Sequence, residues 1–140
     1  VDAARARLPA STVIDDAASR ALWASIASLS GQIAPDDLVW RCPLPATRAP
    51  ALAALLPAAA RLQLDWAGAL AWVLLPPDMA DLDVHALVAQ AAGRDGHAER
   101  LLGRGPVPAR APLEAGLAAL SARVKAQFDP AGILSPGAAP

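Results

Sequence analysis

The sequence has little from which a metal, redox or nucleophilic site could be built. Its single cysteine, Cys42, excludes an internal disulfide and any zinc or iron–sulfur site made of cysteines. Its two histidines, His85 and His97, lack the spacing of a histidine metal motif. Glycine-rich phosphate-binding loops, the Gly-x-Ser-x-Gly nucleophile motif and Cys-x-x-Cys are missing as well. Taken alone, these residues predict no metal site and no self-contained active site.

Excess charge of one sign and long apolar runs are also missing. The chain has 12 basic and 13 acidic side chains and a formal net charge of -1, so it lacks the cationic surface that nucleic acid requires. The longest apolar run, around residues 67–75, is of strand length and too short to span a bilayer. We therefore expect no nucleic-acid partner and no membrane span. Because the sequence shows no signal-peptide pattern, we expect a cytoplasmic location.

The composition is sufficient for a hydrophobic core. Hydrophobic residues make up 55% of the 140 residues, although much of that share is alanine, and only Phe128 and four tryptophans are aromatic. This length corresponds to one domain, and we expect residues 1–140 to form a single domain. The sequence begins at Val1 within a helical pattern, so we also expect the chain to be a piece of a longer protein.

Periodicity predicts helices alternating with short strands, and one hairpin. Strands are predicted at residues 11–14, 38–44, 61–66, 69–75 and 96–102. Helices are predicted over residues 1–8, 17–29, 47–60 and 78–92, and along the apolar stripe Leu113, Leu117, Leu120, Val124 and Phe128. The hairpin turns at Ala67-Gly68. This order favours an α+β fold with a mostly antiparallel sheet and helices packed on one face.

Four segments resemble those of FAD-linked oxidases. Residues 122–137, ARVKAQFDPAGILSPG, resemble the C-terminal signature of that superfamily, a helix followed by F/L-D-P-x-G-I-L-N-P-G. Residues 39–45 (VWRCPLP), 65–72 (DWAGALAW) and 96–102 (GHAERLL) are similar in order and spacing to the C-terminal domain of the FAD-binding subunit of bacterial glycolate oxidase. The similarity covers essentially residues 1–137.

The resemblance implies a fold, a cofactor and partners. The chain would be the ferredoxin-like cap domain of a vanillyl-alcohol-oxidase-type flavoprotein, and an upstream domain of the same protein would hold the FAD. The complex would oxidise a small 2-hydroxy acid, glycolate to glyoxylate, by hydride transfer to the flavin, with a second flavoprotein subunit and an iron–sulfur subunit. The cap would cover the flavin ring and shape the substrate cavity, and alone it would be inactive. Any contact with the inner membrane would be peripheral and made through the complex.

The sequence also departs from the family pattern. Ser135 stands where the family usually has asparagine, Ala67-Gly68 replaces a glycine pair, and Asp95 replaces the first glycine of Gly-Gly-His. The histidine-rich metal motif of the related D-lactate and D-2-hydroxyglutarate dehydrogenases is missing. Two alternatives therefore stay open: a non-catalytic scaffold of the glycolate oxidase complex, or the cap of a different FAD-linked 2-hydroxy-acid or alditol oxidase.

Five residues are candidates for function. Arg41 interrupts an apolar strand, so it either holds a substrate carboxylate or the flavin edge, or forms a structural ion pair. His97 is either an acid–base or positioning residue, or a sheet-edge histidine bonded to the backbone. Trp66 is either a wall of the flavin site or an aromatic strand residue of the core. Ser135 and Gly137 belong to a tail that either packs on the flavin domain and its cofactor, or frays.

Overall fold

A computed structural model describes residues 6–7 and 10–134 of the chain. The chain divides into two compact units, residues 1–35 and residues 36–140. Residues 6 and 7 are helical, and the rest of the helix predicted over residues 1–8 lies outside the described residues.

The first unit contains the helix α1, Asp16–Ser28. Asp15 caps it, because its Oδ1 accepts the N–H of Ala18 at 2.7 Å. The helix ends at Leu29, which adopts a left-handed conformation with φ 54°. The helix predicted over residues 17–29 is thus confirmed. The strand predicted at residues 11–14 is wrong, because that segment forms no ladder with any described residue and β propensity alone provides no partner.

The second unit is an α+β sandwich, as the sequence pattern predicted. Its elements are β1 (Leu38–Pro43), α2 (Ala49–Leu55), β2 (Arg61–Asp65), β3 (Leu70–Leu75), α3 (Val84–Ala92), β4 (Glu99–Leu102) and α4 (Ala115–Phe128). The strands form one sheet in the order β2-β3-β1-β4, and every neighbouring pair is antiparallel. The predicted hairpin joins β2 to β3.

Two helices are shorter than their sequence patterns predicted. The helix predicted over residues 47–60 is reduced to α2, preceded by the 3-10 turn Ala46–Arg48. The helix predicted over residues 78–92 begins at Val84, where the Oδ1 of Asp83 accepts the N–H of Ala86 at 3.0 Å. In both cases apolar residues next to the helix extend the helical sequence pattern past the residues that form the helix.

One face of the sheet forms the core with α2 and α3. Trp40 of β1 pairs in register with Val73 of β3, and both are fully buried. Leu52 of α2 and Val88 of α3 pack into the same cluster, which also contains Cys42. Since side chains alternate along a strand, the residues between these core positions project to the opposite face. Arg41 is one of them.

The last helix, α4, confirms the predicted helix, and its apolar stripe is exposed. None of its residues is buried, and Phe128 is 81% exposed. Leu117, Leu120 and Val124 are about half exposed. Periodicity predicts which side of a helix is apolar, and it does not specify what that side contacts.

No helix within residues 6–7 and 10–134 is both long enough and apolar enough to cross a membrane.

Candidate functional site

A row of polar and aromatic residues crosses the sheet on the face opposite α2 and α3. Each member is the direct register partner of the next, in the order Gln63, Trp72, Arg41, Glu99 and Arg110. Directly paired residues of antiparallel strands project from the same face with their Cβ atoms about 5 Å apart. The fold therefore collects on one surface residues that are far apart in sequence, with Arg41 in the middle.

Glu99 is engaged by Arg110 rather than by Arg41. The Nε of Arg110 donates to Glu99 Oε1 at 2.7 Å, and its Nη2 donates to the same oxygen. The Glu99 side chain is 26% exposed and that of Arg110 is 71% exposed. No carboxylate among the described residues forms an ion pair with Arg41. The structural ion pair that the sequence left open for Arg41 is therefore not found in the described part of the chain.

The partner of Arg41 is instead the indole ring of Trp66. Arg41 Cζ lies 5.6 Å from the centroid of the Trp66 ring, within the range of a cation–π contact. Arg41 is half-buried, whereas Trp66 is 61% exposed. Two candidate residues from the sequence, one expected to bind substrate and one expected to line the cofactor, are thus brought into contact.

A left-handed turn presents Trp66 to Arg41. Trp66, Ala67 and Gly68 all have positive φ, at 51°, 54° and 92°. Each non-glycine residue in this region costs roughly 1–2 kcal/mol because its Cβ approaches the following carbonyl. Asp65 supports the turn, since its Oδ1 accepts the N–H of Trp66 at 2.7 Å. The turn closes where the N–H of Ala69 donates to the Trp66 carbonyl at 3.1 Å.

This arrangement is suited to binding a carboxylate. The Arg41 guanidinium is in cation–π contact with the Trp66 indole. The N–H groups of a guanidinium lie in its plane, where a carboxylate can accept two of them. Trp72, half-buried beside Arg41, adds a second aromatic wall. Arg41, Glu99 and Arg110 carry a net charge of +1, which favours a single negative charge at this position.

His97 lies in different surroundings. It precedes β4, its backbone N–H donates to the Pro43 carbonyl at 3.1 Å, and its side chain is exposed. It lines a surface cleft together with His85 of α3, and Arg41 does not line that cleft. The Nε2 of His85 lies 2.9 Å from the Pro108 carbonyl oxygen, to which it donates when protonated. The structure therefore brings the two histidines together, but does not bring His97 to Arg41.

Cys42 is a core residue. It is fully buried, and burial raises the pKa of its thiol to about 12, so it stays protonated and unreactive at neutral pH. Among the described residues, no group of three or more histidine, cysteine or carboxylate side chains is arranged to hold a metal ion.

The D-P-x-G-I-L segment forms a compact turn at the end of α4. The buried carboxylate of Asp129 accepts the N–H of Ile133 at 2.8 Å and the N–H of Leu134 at 3.0 Å. Gly132 has φ 64° and donates to the Asp129 carbonyl at 3.1 Å. The aspartate and glycine of the motif thus have a local structural role. Ser135 and Gly137, expected near the cofactor, lie outside the described residues.

The sequence alone did not identify Gln63, Glu99 and Arg110 as members of the site. Alternation within residues 96–102 places Glu99 opposite the buried Ala98, but only the strand order shows that it faces Arg41. Arg110 lies outside every predicted strand and joins the row through an isolated bridge. Comparisons of the chain with models of protein families, with curated proteins and with solved structures find no match.

Proposed function

We propose that this chain is the cap domain of an FAD-linked oxidoreductase that oxidises a small 2-hydroxy acid such as glycolate, and that Arg41 holds the substrate carboxylate. The observation that carries the proposal is Arg41 itself. It is a half-buried cation that lies in cation–π contact with Trp66 and has no carboxylate partner among the described residues. A half-buried guanidinium without a carboxylate partner offers its N–H groups to a ligand anion.

The fold is compatible with this role. The proposal includes the ferredoxin-like architecture that the resemblance implies for the cap, and it is supported by the element order β1-α2-β2-β3-α3-β4 and the strand order β2-β3-β1-β4. The same resemblance assigns the FAD to an upstream domain. It also assigns a second flavoprotein subunit and an iron–sulfur subunit as partners.

The residues of this chain suit the flavin ring rather than the whole dinucleotide. The sequence contains no glycine-rich phosphate-binding loop, whereas Arg41, Trp66 and Trp72 offer a cation and two indoles on one face of the sheet. When bound, FAD supplies the acceptor of the substrate hydride. Arg41 then binds and orients the carboxylate, and the two indoles exclude water from the site.

The test is the visible absorption spectrum of the polypeptide that carries this sequence, isolated from its source through an affinity tag. The proposal predicts a bound flavin whose absorption band is bleached by glycolate in the absence of oxygen. A flavin that ignores glycolate and other 2-hydroxy acids would overturn the proposed substrate and leave the cofactor. A folded protein that neither contains nor takes up FAD would overturn the proposal as a whole.

A second candidate is a scaffold without turnover, and the exposed stripe of α4 favours it. Leu117, Leu120, Val124 and Phe128 form an apolar surface that suits a protein partner. Arg41→Gln separates the two functions. A carboxylate-binding residue predicts a large loss of turnover with the complex intact, whereas a scaffold predicts unchanged turnover as long as the complex assembles.

A further inference from the structure

We infer that Arg110 is a positioning residue that keeps Arg41 available for a carboxylate by holding Glu99. The inference rests on the proposed function, because it takes Arg41 as the group that binds the substrate anion. It gives a role to two more residues, Glu99 and Arg110, which the sequence alone did not connect with the site.

Arg41 and Arg110 compete for one glutamate, Glu99. Glu99 is the direct register partner of Arg41 on β1 and also forms a bridge with Arg110 on its other side. Both arginines are therefore neighbours of the same carboxylate, at the roughly 5 Å Cβ separation of paired residues. Only one of them binds it, and that one is Arg110.

Arg110 holds the Glu99 carboxylate firmly. Both Nε and Nη2 of Arg110 converge on Glu99 Oε1, so two charge-assisted hydrogen bonds direct the carboxylate away from Arg41. Backbone hydrogen bonding keeps the segment before Arg110 beside β4, because the N–H of Arg100 donates to the Ala109 carbonyl at 2.8 Å. The position of Arg110 next to Glu99 is therefore built into the fold.

Removal of Arg110 would leave Glu99 without its present cationic partner. Glu99 is only 26% exposed, so a cationic partner is more favourable for its carboxylate than partial hydration when Arg110 is removed. The nearest cation in its row is Arg41. A Glu99–Arg41 ion pair would occupy the N–H groups that the substrate carboxylate needs, and the site would be blocked by the protein's own side chain.

The experiment is a set of NMR titrations of the 140-residue chain with glycolate and, as a simpler carboxylate, acetate. The shift of the Arg41 Nε–H signal, assigned by its loss in Arg41→Gln, reports carboxylate binding without any flavin. Arg110→Gln is expected to weaken glycolate binding at least tenfold. The double variant Arg110→Gln/Glu99→Gln is expected to restore binding to within about twofold of the wild type, because no carboxylate is left to compete.

A ligand-free measurement complements the titration. In Arg110→Gln, the Arg41 Nε–H signal is expected to shift and to exchange more slowly with solvent as Glu99 binds it, and the added Glu99→Gln change should reverse both effects. Arg110→Lys, which retains the charge, should bind glycolate better than Arg110→Gln. Far-UV circular dichroism checks that each variant is folded, which is expected because the Arg110 side chain is 71% exposed.

Several outcomes would overturn the inference. One is unchanged glycolate binding in Arg110→Gln, and another is a folded double variant that fails to recover binding. A wild-type chain that binds neither glycolate nor acetate would overturn it as well. The proposed function fails separately, since it depends on the flavin spectrum of the isolated protein and not on this titration.

Discussion

Ionisation of Cys42 should make the protein lose stability at alkaline pH. The thiol is fully buried in the core between the sheet and the helices α2 and α3, and this burial raises its pKa from 9.0 to about 12. A buried thiolate would be poorly solvated, so the native state keeps its proton. The unfolded chain releases that proton at ordinary thiol pKa values. The two states therefore differ in bound protons only at high pH.

The sign and size of the effect follow from this difference. Because the pKa of Cys42 is raised in the folded state, its contribution to stability is fully present below pH 9 and is lost as the pH rises toward 12. The free energy of unfolding falls by about 1.4 kcal/mol for each pH unit in that window. Between pH 8 and pH 10 the expected loss is about 1.4 kcal/mol, and over the whole window it reaches about 4 kcal/mol.

Urea denaturation of the wild type and of Cys42→Ala at pH 8 and pH 10 measures this effect. The alanine variant is expected to be less stable at pH 8, because it loses a buried sulfur atom. Every other titrating group contributes equally to both proteins, so the wild type should lose about 1.4 kcal/mol more than the variant between the two pH values. Equal losses in the two proteins would refute the burial of Cys42 and the core packing around it.

Two further predictions concern backbone sites. Ala67→Gly should raise the free energy of unfolding by about 1 kcal/mol, because Ala67 has φ 54° and glycine adopts this conformation without strain. In urea denaturation the control variant Ala89→Gly, within α3, should instead lower the free energy of unfolding. A destabilised Ala67→Gly would contradict the left-handed turn. Gly96→Ala should cost about 1–3 kcal/mol, because an added Cβ would lie 2.8 Å from the Ala92 side chain. The same change at Gly116, where nothing lies within 4 Å, should be neutral or stabilising in thermal denaturation, and equal effects at the two glycines would refute the close packing of Gly96.

The part of the fold that is encoded locally could be predicted from the sequence. Alternation within β2, the turn at Ala67-Gly68 and the helical spacing within residues 17–29 each act over a few positions, and the strand, the hairpin and the helix α1 were predicted correctly. The segment at residues 11–14 was predicted wrongly, because a strand depends on a partner elsewhere in the chain. The exposed stripe of α4 shows the same limit, since its pattern does not specify what it contacts.

The candidate site could be predicted only residue by residue. Arg41 stood out because a charge within an apolar strand needs an explanation, and Trp66 stood out through the segment that resembles the family. Their contact depends on three consecutive residues with positive φ, of which only Gly68 is a residue type that indicates this conformation. Glu99 and Arg110 depend on strand order and on an isolated bridge, which are properties of the sheet and not of any segment.

The proposed role of Arg41 is to hold the substrate carboxylate in a flavin-dependent oxidation. The most direct test is the rate at which glycolate reduces the flavin of the isolated holoprotein, measured by stopped-flow absorption without oxygen for the wild type and for Arg41→Gln. Loss of a charge-assisted, two-bond contact should lower the ratio of reduction rate to dissociation constant roughly 10–100-fold. Arg94→Gln, which removes an exposed arginine elsewhere in this chain, should leave that ratio unchanged. Equal reduction in Arg41→Gln and the wild type would contradict the claim.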